Sequence, residues 1–153
     1  MAVLPLRFEG DPILLHTAEP VVAFDNALAT LVRDMFDTMY AAPGRGLAAP
    51  QVGASARVFV VDTRWKDSDP DPMIFVNPIV TARAQEEIAG EEACLSIPGK
   101  SFVVSRPAWV DMTWQDLDGV QHGGRFKGLQ GVCVCHEFDH LDGLLITQTG
   151  VRL

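Results

Sequence analysis

Two histidines near the carboxyl end of the chain have the spacing of metal ligands. His136 and His140 are four residues apart, which on a helix places both imidazoles on one face, about one turn apart. Glu137 lies about 100° further round the helix, beside a shared ion rather than on it. In this HExxH arrangement the carboxylate can take a proton from the attacking water. The spacing therefore predicts a metal-dependent hydrolase with Glu137 as the proton-transfer residue.

The alternative interpretation of this segment is a helix that carries two surface histidines. The neighbouring Val134, Phe138 and Leu141 are apolar and recur at helical spacing, which indicates a helix that is mostly buried. A buried helix has little reason to carry two imidazoles and a carboxylate unless they bind something. We therefore favour the metal site.

Two histidines are too few for a catalytic metal site, which normally has three protein ligands and an open position. Cys133 lies one turn before His136, but the seven residues from Cys133 to His140 span about 10.5 Å, too far to share one ion. Cys135 lies about 100° off the ligand face. The third ligand should come from another element, and Cys94, in a strand-to-turn context, has the better setting. The other candidates are His16, His122 and several carboxylates.

The bulk composition is that of one compact globular domain over residues 1–153, 48% hydrophobic and 21% charged. The net charge is −8 and no run of Lys or Arg exists, so we expect no nucleic-acid binding. The amino terminus lacks the features of a signal peptide, and no apolar stretch is long enough to span a membrane. Three cysteines, an odd number without an export signal, predict a cytoplasmic protein with free or metal-bound thiols.

The apolar periodicity predicts an α+β domain. One amphipathic helix is expected at about 25–42 with Asp25 as its N-cap, and a second at 128–141, closed by Asp142 and Gly143. An acidic, proline-broken loop is expected at 66–72. Short β-branched and aromatic runs predict strands at 57–62, 73–76, 102–104, 108–114 and 120–126, with a turn at 118–119.

Three separated segments of the chain resemble the signatures of the peptide deformylase family. They are GRGLAAPQVG at 44–53, EACLS at 92–96 and CHEFDH at 135–140. The segments occur in the family's order, and with their flanks the resemblance covers nearly the whole chain. It implies the fold of that family, with mixed or antiparallel sheets packed around a central helix that bears HExxH, plus an N-terminal helix.

The resemblance also implies an activity and a cofactor. The family removes the formyl group from the N-terminal formyl-methionine of nascent polypeptides and releases formate. Carried over to this chain, one divalent ion would be held by Cys94, His136 and His140. Ferrous iron is expected first, with zinc, nickel or cobalt able to substitute at a site of one thiolate and two imidazoles.

The same resemblance assigns roles around the ion. Glu137 would be the general acid and base. The side-chain amide of Gln51 and the backbone N–H of Leu95 would bind the developing oxyanion. Val132, Cys133 and the glycine-rich segment around Gly46 would line the methionine pocket, with Arg45 close to the substrate chain.

Three positions differ from the usual family pattern. Ala93 stands where glycine is usual, which costs about 1 kcal/mol only if the backbone there has positive φ. Cys135 stands where glutamine is usual, so a hydrogen bond of that amide is absent. Arg45 stands where an aliphatic residue is common; its cation either binds a substrate carboxylate or points to solvent, the commoner outcome. The alternatives to a deformylase are an amidohydrolase for another N-acyl group and a weakly active or inactive metal-binding homologue.

The expected partners are nascent formyl-methionyl polypeptides, with transient proximity to the ribosome. The chain ends ten residues after Gly143, so we expect no long C-terminal extension and no docking helix. A monomer is expected. Because the second and third signatures must meet at the metal, we also expect Arg106 to form an ion pair with Glu92 or Asp139, with Glu92 as the first choice.

Overall fold

The structure, a computed structural model, describes residues 2–153. Five strands form one antiparallel sheet in the order β1-β2-β3-β6-β7, namely β1 (Gly46–Ala48), β2 (Val58–Val61), β3 (Met73–Arg83), β6 (Trp109–Gln115) and β7 (Gln121–Lys127). Three more form a second antiparallel sheet in the order β4-β5-β8, namely β4 (Glu87–Cys94), β5 (Ile97–Pro107) and β8 (Gly150–Arg152). The helices within these residues are α1 (Asn26–Ala41), α2 (Gly128–Leu141) and α3 (Ile146–Thr149). The predicted α+β class is confirmed, and the sheets are antiparallel.

Both long helices begin and end close to the predicted residues. The carboxylate of Asp25 accepts a hydrogen bond from the backbone N–H of Leu28 at 3.1 Å, so Asp25 is the N-cap of α1. Gly143 ends the turn after α2 with a φ of 75°. A Cβ atom on Gly143 would lie 2.5 Å from the carbonyl oxygen of Leu15, so only glycine fits there. Among residues 2–153, no helix is long and apolar enough to cross a membrane.

Strand β2 is buried on both faces because a helix covers each side of its sheet. Phe59 and Val61 pack into the cluster that contains Val134 of α2. Val58 and Val60 pack into the cluster that contains Met35 and other residues of α1. This explains why β2 reads as a continuous apolar run rather than an alternating one. The helix that carries the HExxH segment therefore packs against a fully buried strand.

The sequence did not predict β1, β8 or α3, it indicated β4 only as a strand-to-turn context around Cys94, and it predicted β3 and β5 as shorter than they are. Most side chains of β4 are exposed, so the strand has no apolar alternation to detect. Strands β1 and β8 have three residues each, and α3 has four. These elements are stabilised by backbone pairing and packing with distant segments, which a local pattern does not report.

Candidate metal centre and active site

The structure brings Cys94, His136 and His140 together in one buried group. The exposed fractions of the three residues are 6%, 8% and 1%. One ligand atom from each lies within 4.8 Å of the other two, and Sγ of Cys94 is 3.4 Å from Nε2 of His140. Metal–sulfur bonds of about 2.3 Å and metal–nitrogen bonds of about 2.0–2.1 Å fit such spacings. The donor set and its geometry therefore suit one divalent ion.

Two elements deliver these ligands. Helix α2 presents both imidazoles on one face, and β4 ends at Cys94, where a register shift between Ala93 and Cys94 begins the turn into β5. Asn77 is the only non-glycine residue with positive φ among residues 2–153, so Ala93 has an ordinary backbone conformation. The alanine at that position consequently costs no backbone strain.

The other ligand candidates do not join this group. Within residues 2–153, Cys94, His136 and His140 are the only His, Cys, Asp or Glu side chains that form a potential metal-binding cluster. Cys133 and Cys135 belong to α2 but not to this group. Burial raises the pKa of the Cys133 thiol to about 12 and that of Cys135 to about 11. Both thiols are therefore protonated near neutral pH, unlike a thiolate ligand.

A buried ion pair supports the first histidine ligand. Nδ1 of His136 lies 3.0 Å from Oε1 of Glu92, which leaves Nε2 for a metal. Arg106 donates two hydrogen bonds to Glu92, at 3.0 and 2.9 Å, and one to Asp139. The predicted pair of Arg106 with Glu92 is confirmed. Burial alone would raise the pKa of Glu92, but hydrogen bonds from His136 and Arg106 outweigh it and lower that pKa.

The surroundings shift the pKa values of the two histidines in opposite directions. Burial opposes protonation of His136, yet the nearby carboxylate of Glu137 and hydrogen bonds to Cys94 and Glu92 raise the pKa of His136 to about 10. Burial, helped by the charge on His136, lowers the pKa of His140. The group thus favours a neutral His140, the form in which an imidazole binds a metal.

Glu137 lies at this group with one carboxylate oxygen in contact with the first signature segment. The residue is 5% exposed, and its Oε1 is buried with no hydrogen-bond partner among residues 2–153. Burial raises the pKa of Glu137 to about 7. A Cβ atom on Gly46 would lie 2.6 Å from Oε2 of Glu137, so glycine is required for this approach. A carboxyl group with a pKa near neutrality can both accept and return a proton.

The side chain of Gln51 is held with its amide nitrogen toward the ligand group. Gln51 is 1% exposed, and its Oε1 accepts the backbone N–H of Ala48 at 2.9 Å. Its Nε2 donates to Oγ of Ser96 at 3.0 Å and lies 3.6 Å from Sγ of Cys94. Ser96 is a functional-site residue that the sequence reasoning missed. Its place in the second signature was the available signal.

A cavity of about 450 Å³ opens onto the group. Cys94, His136 and Glu137 are among the residues that line it. Six other predicted site residues also border the cavity, namely Arg45, Gly46, Gln51, Leu95, Val132 and Cys133, whereas His140 does not. Lys66 and Leu129 line it too, although neither was predicted. The residues named from three distant signatures thus meet around one cavity.

This α+β fold, with a buried Cys-His-His group beside a glutamate, defines a metal-dependent hydrolase. The comparison with known proteins gives the family. Residues 3–152 match the polypeptide deformylase family model, and the chain belongs to that family. The family is metal-dependent and removes the N-formyl group from nascent polypeptides.

Individual relatives agree over nearly the full chain. A peptide deformylase of Zymomonas mobilis is 42% identical over 100% of this chain and 89% of the relative. One from Saccharophagus degradans is 45% identical over 95% of this chain and 83% of the relative. The crystal structure of peptide deformylase from Thermotoga maritima superposes with a TM-score of 0.92, at 35% identity, over 97% of this chain and 98% of that one. The fold implied by the signatures is confirmed.

Proposed function

We propose that this chain hydrolyses the N-formyl group of formyl-methionyl polypeptides and releases formate. The observation that carries the proposal is the position of Glu137. This carboxyl group is buried at the Cys94, His136 and His140 group, has a pKa of about 7, and borders the cavity. A proton-transfer group, a metal-binding group and room for a substrate therefore coincide.

Cys94, His136 and His140 are proposed to hold one divalent ion. When bound, such an ion supplies Lewis acidity at the formyl group and at the attacking water. One thiolate and two neutral imidazoles suit ferrous iron, zinc, nickel and cobalt alike. We propose ferrous iron in the cell, with the other three able to substitute.

Glu137 is proposed as the general acid and base. It takes a proton from the water whose oxygen attacks the formyl carbon. It then returns that proton to the amine nitrogen as the carbon–nitrogen bond breaks, so that a neutral amine and formic acid leave, and the acid ionises to formate in water. A pKa of about 7 suits both halves of this cycle.

Gln51 and the backbone N–H of Leu95 are proposed to donate hydrogen bonds to the oxygen that gains negative charge. The contacts of Gln51 with Ala48 and Ser96 fix its amide before substrate binds. A donor that needs no reorganisation is effective in a buried site. Removal of one such donor typically costs about 3–4 kcal/mol of transition-state stabilisation.

The rest of the cavity is proposed to bind the methionine and the peptide that follows it. Gly46, Val132 and Cys133 would contact the methionine side chain, and Arg45 the peptide. Strands β1 and β4 line the cavity, and each is the edge strand of its sheet. An extended peptide can pair with such an edge through main-chain hydrogen bonds, which suits a polypeptide substrate.

At the level of the cell, we propose that the chain works as a monomeric, cytoplasmic catalytic domain over residues 1–153. Its substrates would be nascent chains near the ribosome, because formyl-methionine stands at the N-terminus of a newly made polypeptide. A sedimentation measurement on the metal-loaded protein would test the monomer.

A formate-release assay on protein reconstituted anaerobically with ferrous, nickel or zinc ions tests the activity. We expect hydrolysis of formyl-Met-Ala and little hydrolysis of acetyl-Met-Ala. Glu137→Gln should lower kcat by roughly 10²- to 10⁴-fold, the range for loss of a general acid and base. Glu19→Gln, a change at an exposed glutamate, is the matched control. If all three metal forms leave formyl-Met-Ala intact, the proposal is wrong.

A further inference from the structure

Three cationic side chains line the cavity of a protein that is acidic as a whole. The chain has a net charge of −8 and only three lysines, and two of them, Lys66 and Lys100, line the cavity together with Arg45. Lys100 is paired with Glu9 at 3.5 Å. Arg45 and Lys66 are the other two cations, and the part of the cavity that they line is called the rim.

Arg45 is poorly neutralised within the chain. Among residues 2–153 its ion-pair partner is Asp67, whose side chain is 78% exposed, at 3.6 Å. Nε of Arg45 is buried and has no hydrogen-bond acceptor among the same residues. A buried guanidinium nitrogen without an acceptor is unusual, because desolvation of an unpaired donor is costly. An acceptor supplied by a bound molecule would remove that cost.

The two cations are held at the rim by three hydrogen bonds between segments 43–45 and 62–66. The backbone N–H of Asp62 donates to the carbonyl of Arg45 at 2.9 Å. Nε1 of Trp65 donates to the carbonyl of Gly44 at 2.8 Å, and Nζ of Lys66 donates to that of Pro43 at 3.2 Å. The rim is consequently arranged before substrate arrives.

The carboxylates that line the cavity leave these cations available. Glu92 is bound by Arg106 and His136, and Glu137 lies at the ligand group. Glu91 is exposed and forms no ion pair among residues 2–153. No carboxylate lies within ion-pair distance of Lys66 in that part of the chain. The rim can therefore accept an anionic group from outside.

We propose that Arg45 and Lys66 bind a carboxylate of the substrate peptide, so that this chain prefers formyl-methionyl peptides with Asp or Glu at the second or third residue. The inference rests on the proposed function. Arg45 directly precedes Gly46, which lies against Glu137, so the rim is close to the reacting end of the peptide. A guanidinium and an ammonium group that line one cavity are suited to a carboxylate through charge-assisted hydrogen bonds.

The test compares isosteric peptides in the formate-release assay. Formyl-Met-Asp-Ala-amide is paired with formyl-Met-Asn-Ala-amide, and formyl-Met-Ala-Asp-amide with formyl-Met-Ala-Asn-amide. The amide end removes the terminal carboxylate, so only the side chain differs in charge. We expect kcat/KM for the Asp peptide to exceed that for the Asn peptide roughly tenfold at one of the two positions, mainly through KM. Salt of about 0.5 M should reduce this ratio.

Variants assign the preference to the rim. Arg45→Gln should bring the Asp-to-Asn ratio close to one. Lys66 is exposed, so Lys66→Gln should fold and should lower the same ratio. Arg64→Gln removes an equal charge from the same loop at an exposed residue that does not line the cavity, and it should keep the ratio of the unmodified chain.

Several outcomes overturn the inference while leaving the proposed function intact. Equal turnover of the Asp and Asn peptides at both positions is one. A ratio that persists in both Arg45→Gln and Lys66→Gln is another. A third is a preference for formyl-Met-Ala with a free carboxyl end over its amide, without any preference for the Asp peptides. The rim would then bind the carboxyl end of a dipeptide, a group that a nascent chain does not carry beside its methionine. If no formylated peptide is hydrolysed, the proposed function itself is wrong.

Discussion

Two residues of the candidate site, His136 and Gln51, are held in place by hydrogen bonds to other side chains. Arg106 orients Glu92, which in turn orients the ring of His136. Ser96 plays the same part for Gln51. Groups fixed in this way need no reorganisation when charge develops, which is the main source of catalysis in buried sites. At the residue scale, Gly46 and Glu137 are so close that a Cβ on the glycine would overlap the carboxylate.

Gly46→Ala tests that contact. The added Cβ would lie 2.6 Å from Oε2 of Glu137, so the carboxylate must move. A displacement of about 1 Å at a reacting group typically costs about a hundredfold in rate, and we expect kcat to fall to that extent in the formate-release assay. Gly90→Ala is the control, because its Cβ would meet no atom within 4 Å. Equal activity of the two variants would contradict this account of Gly46.

At the scale of elements, a buried carboxylate joins α1 to the loop that carries Lys66. Asp62 is 0% exposed and follows β2 directly. Its carboxylate accepts the hydroxyl of Tyr40 in α1 at 2.6 Å and the backbone N–H groups of Arg64, Trp65 and Asp71 at 3.1 Å each. Burial alone would raise the pKa of Asp62, but these hydrogen bonds lower it. The loop therefore depends on an ionised Asp62.

Tyr40→Phe removes the side-chain donor from this joint. A hydrogen bond to a charged group contributes about 1.5–3 kcal/mol, and we expect the free energy of unfolding at pH 7 to fall by that amount. Because the folded-state pKa of Asp62 is lowered, its contribution is complete above its ordinary value of 3.8 and is lost as the pH falls below that value. Urea unfolding from pH 7 to pH 3 should show the difference between Tyr40→Phe and the unmodified chain shrinking.

The control for this prediction is Phe36→Leu, which changes the ring stacked on Tyr40 at 6.0 Å between centroids and does not touch Asp62. Its loss of stability arises from packing and should depend little on pH. A difference for Tyr40→Phe that is constant down to pH 3 would show that the ionised carboxylate is not the source of the effect.

At the scale of the whole molecule, the candidate metal group joins the two sheets. Cys94 ends β4 of the three-stranded sheet, whereas His136 and His140 belong to the helix that packs on the five-stranded sheet. A ligand that binds only the folded state stabilises it, by about 2.7 kcal/mol at a concentration a hundred times its Kd. An ion at this junction should therefore hold the two halves of the fold together.

Metal removal tests the junction. Chelation should lower Tm by roughly 5–10 °C, since 1 kcal/mol corresponds to about 2–4 °C for a domain of this size. Differential scanning calorimetry with and without added zinc measures the shift. Cys94→Ser should weaken the response to zinc, and a full zinc-dependent shift in that variant would show that the ion binds elsewhere.

The sequence by itself determined what depends on local geometry. The helical period placed His136 and His140 on one face and excluded Cys133 by distance along the axis, because the rise per residue of a helix is constant. The same rules gave Asp25 as an N-cap and Gly143 as the end of α2. The other contacts in the site came from the family signatures, which name residues and give no distances.

Only the tertiary structure decided which distant residues touch. Cys94 meets His140 across 46 positions and Gln51 meets Ser96 across 45, because β4 pairs with β5 and places their turn against α2. Strand β4 is mostly exposed, so its pairing is stabilised by backbone hydrogen bonds that leave no apolar pattern in the sequence. The contact of Gly46 with Glu137 and the position of Lys66 on the rim arise in the same way, from chain pairing rather than from local spacing.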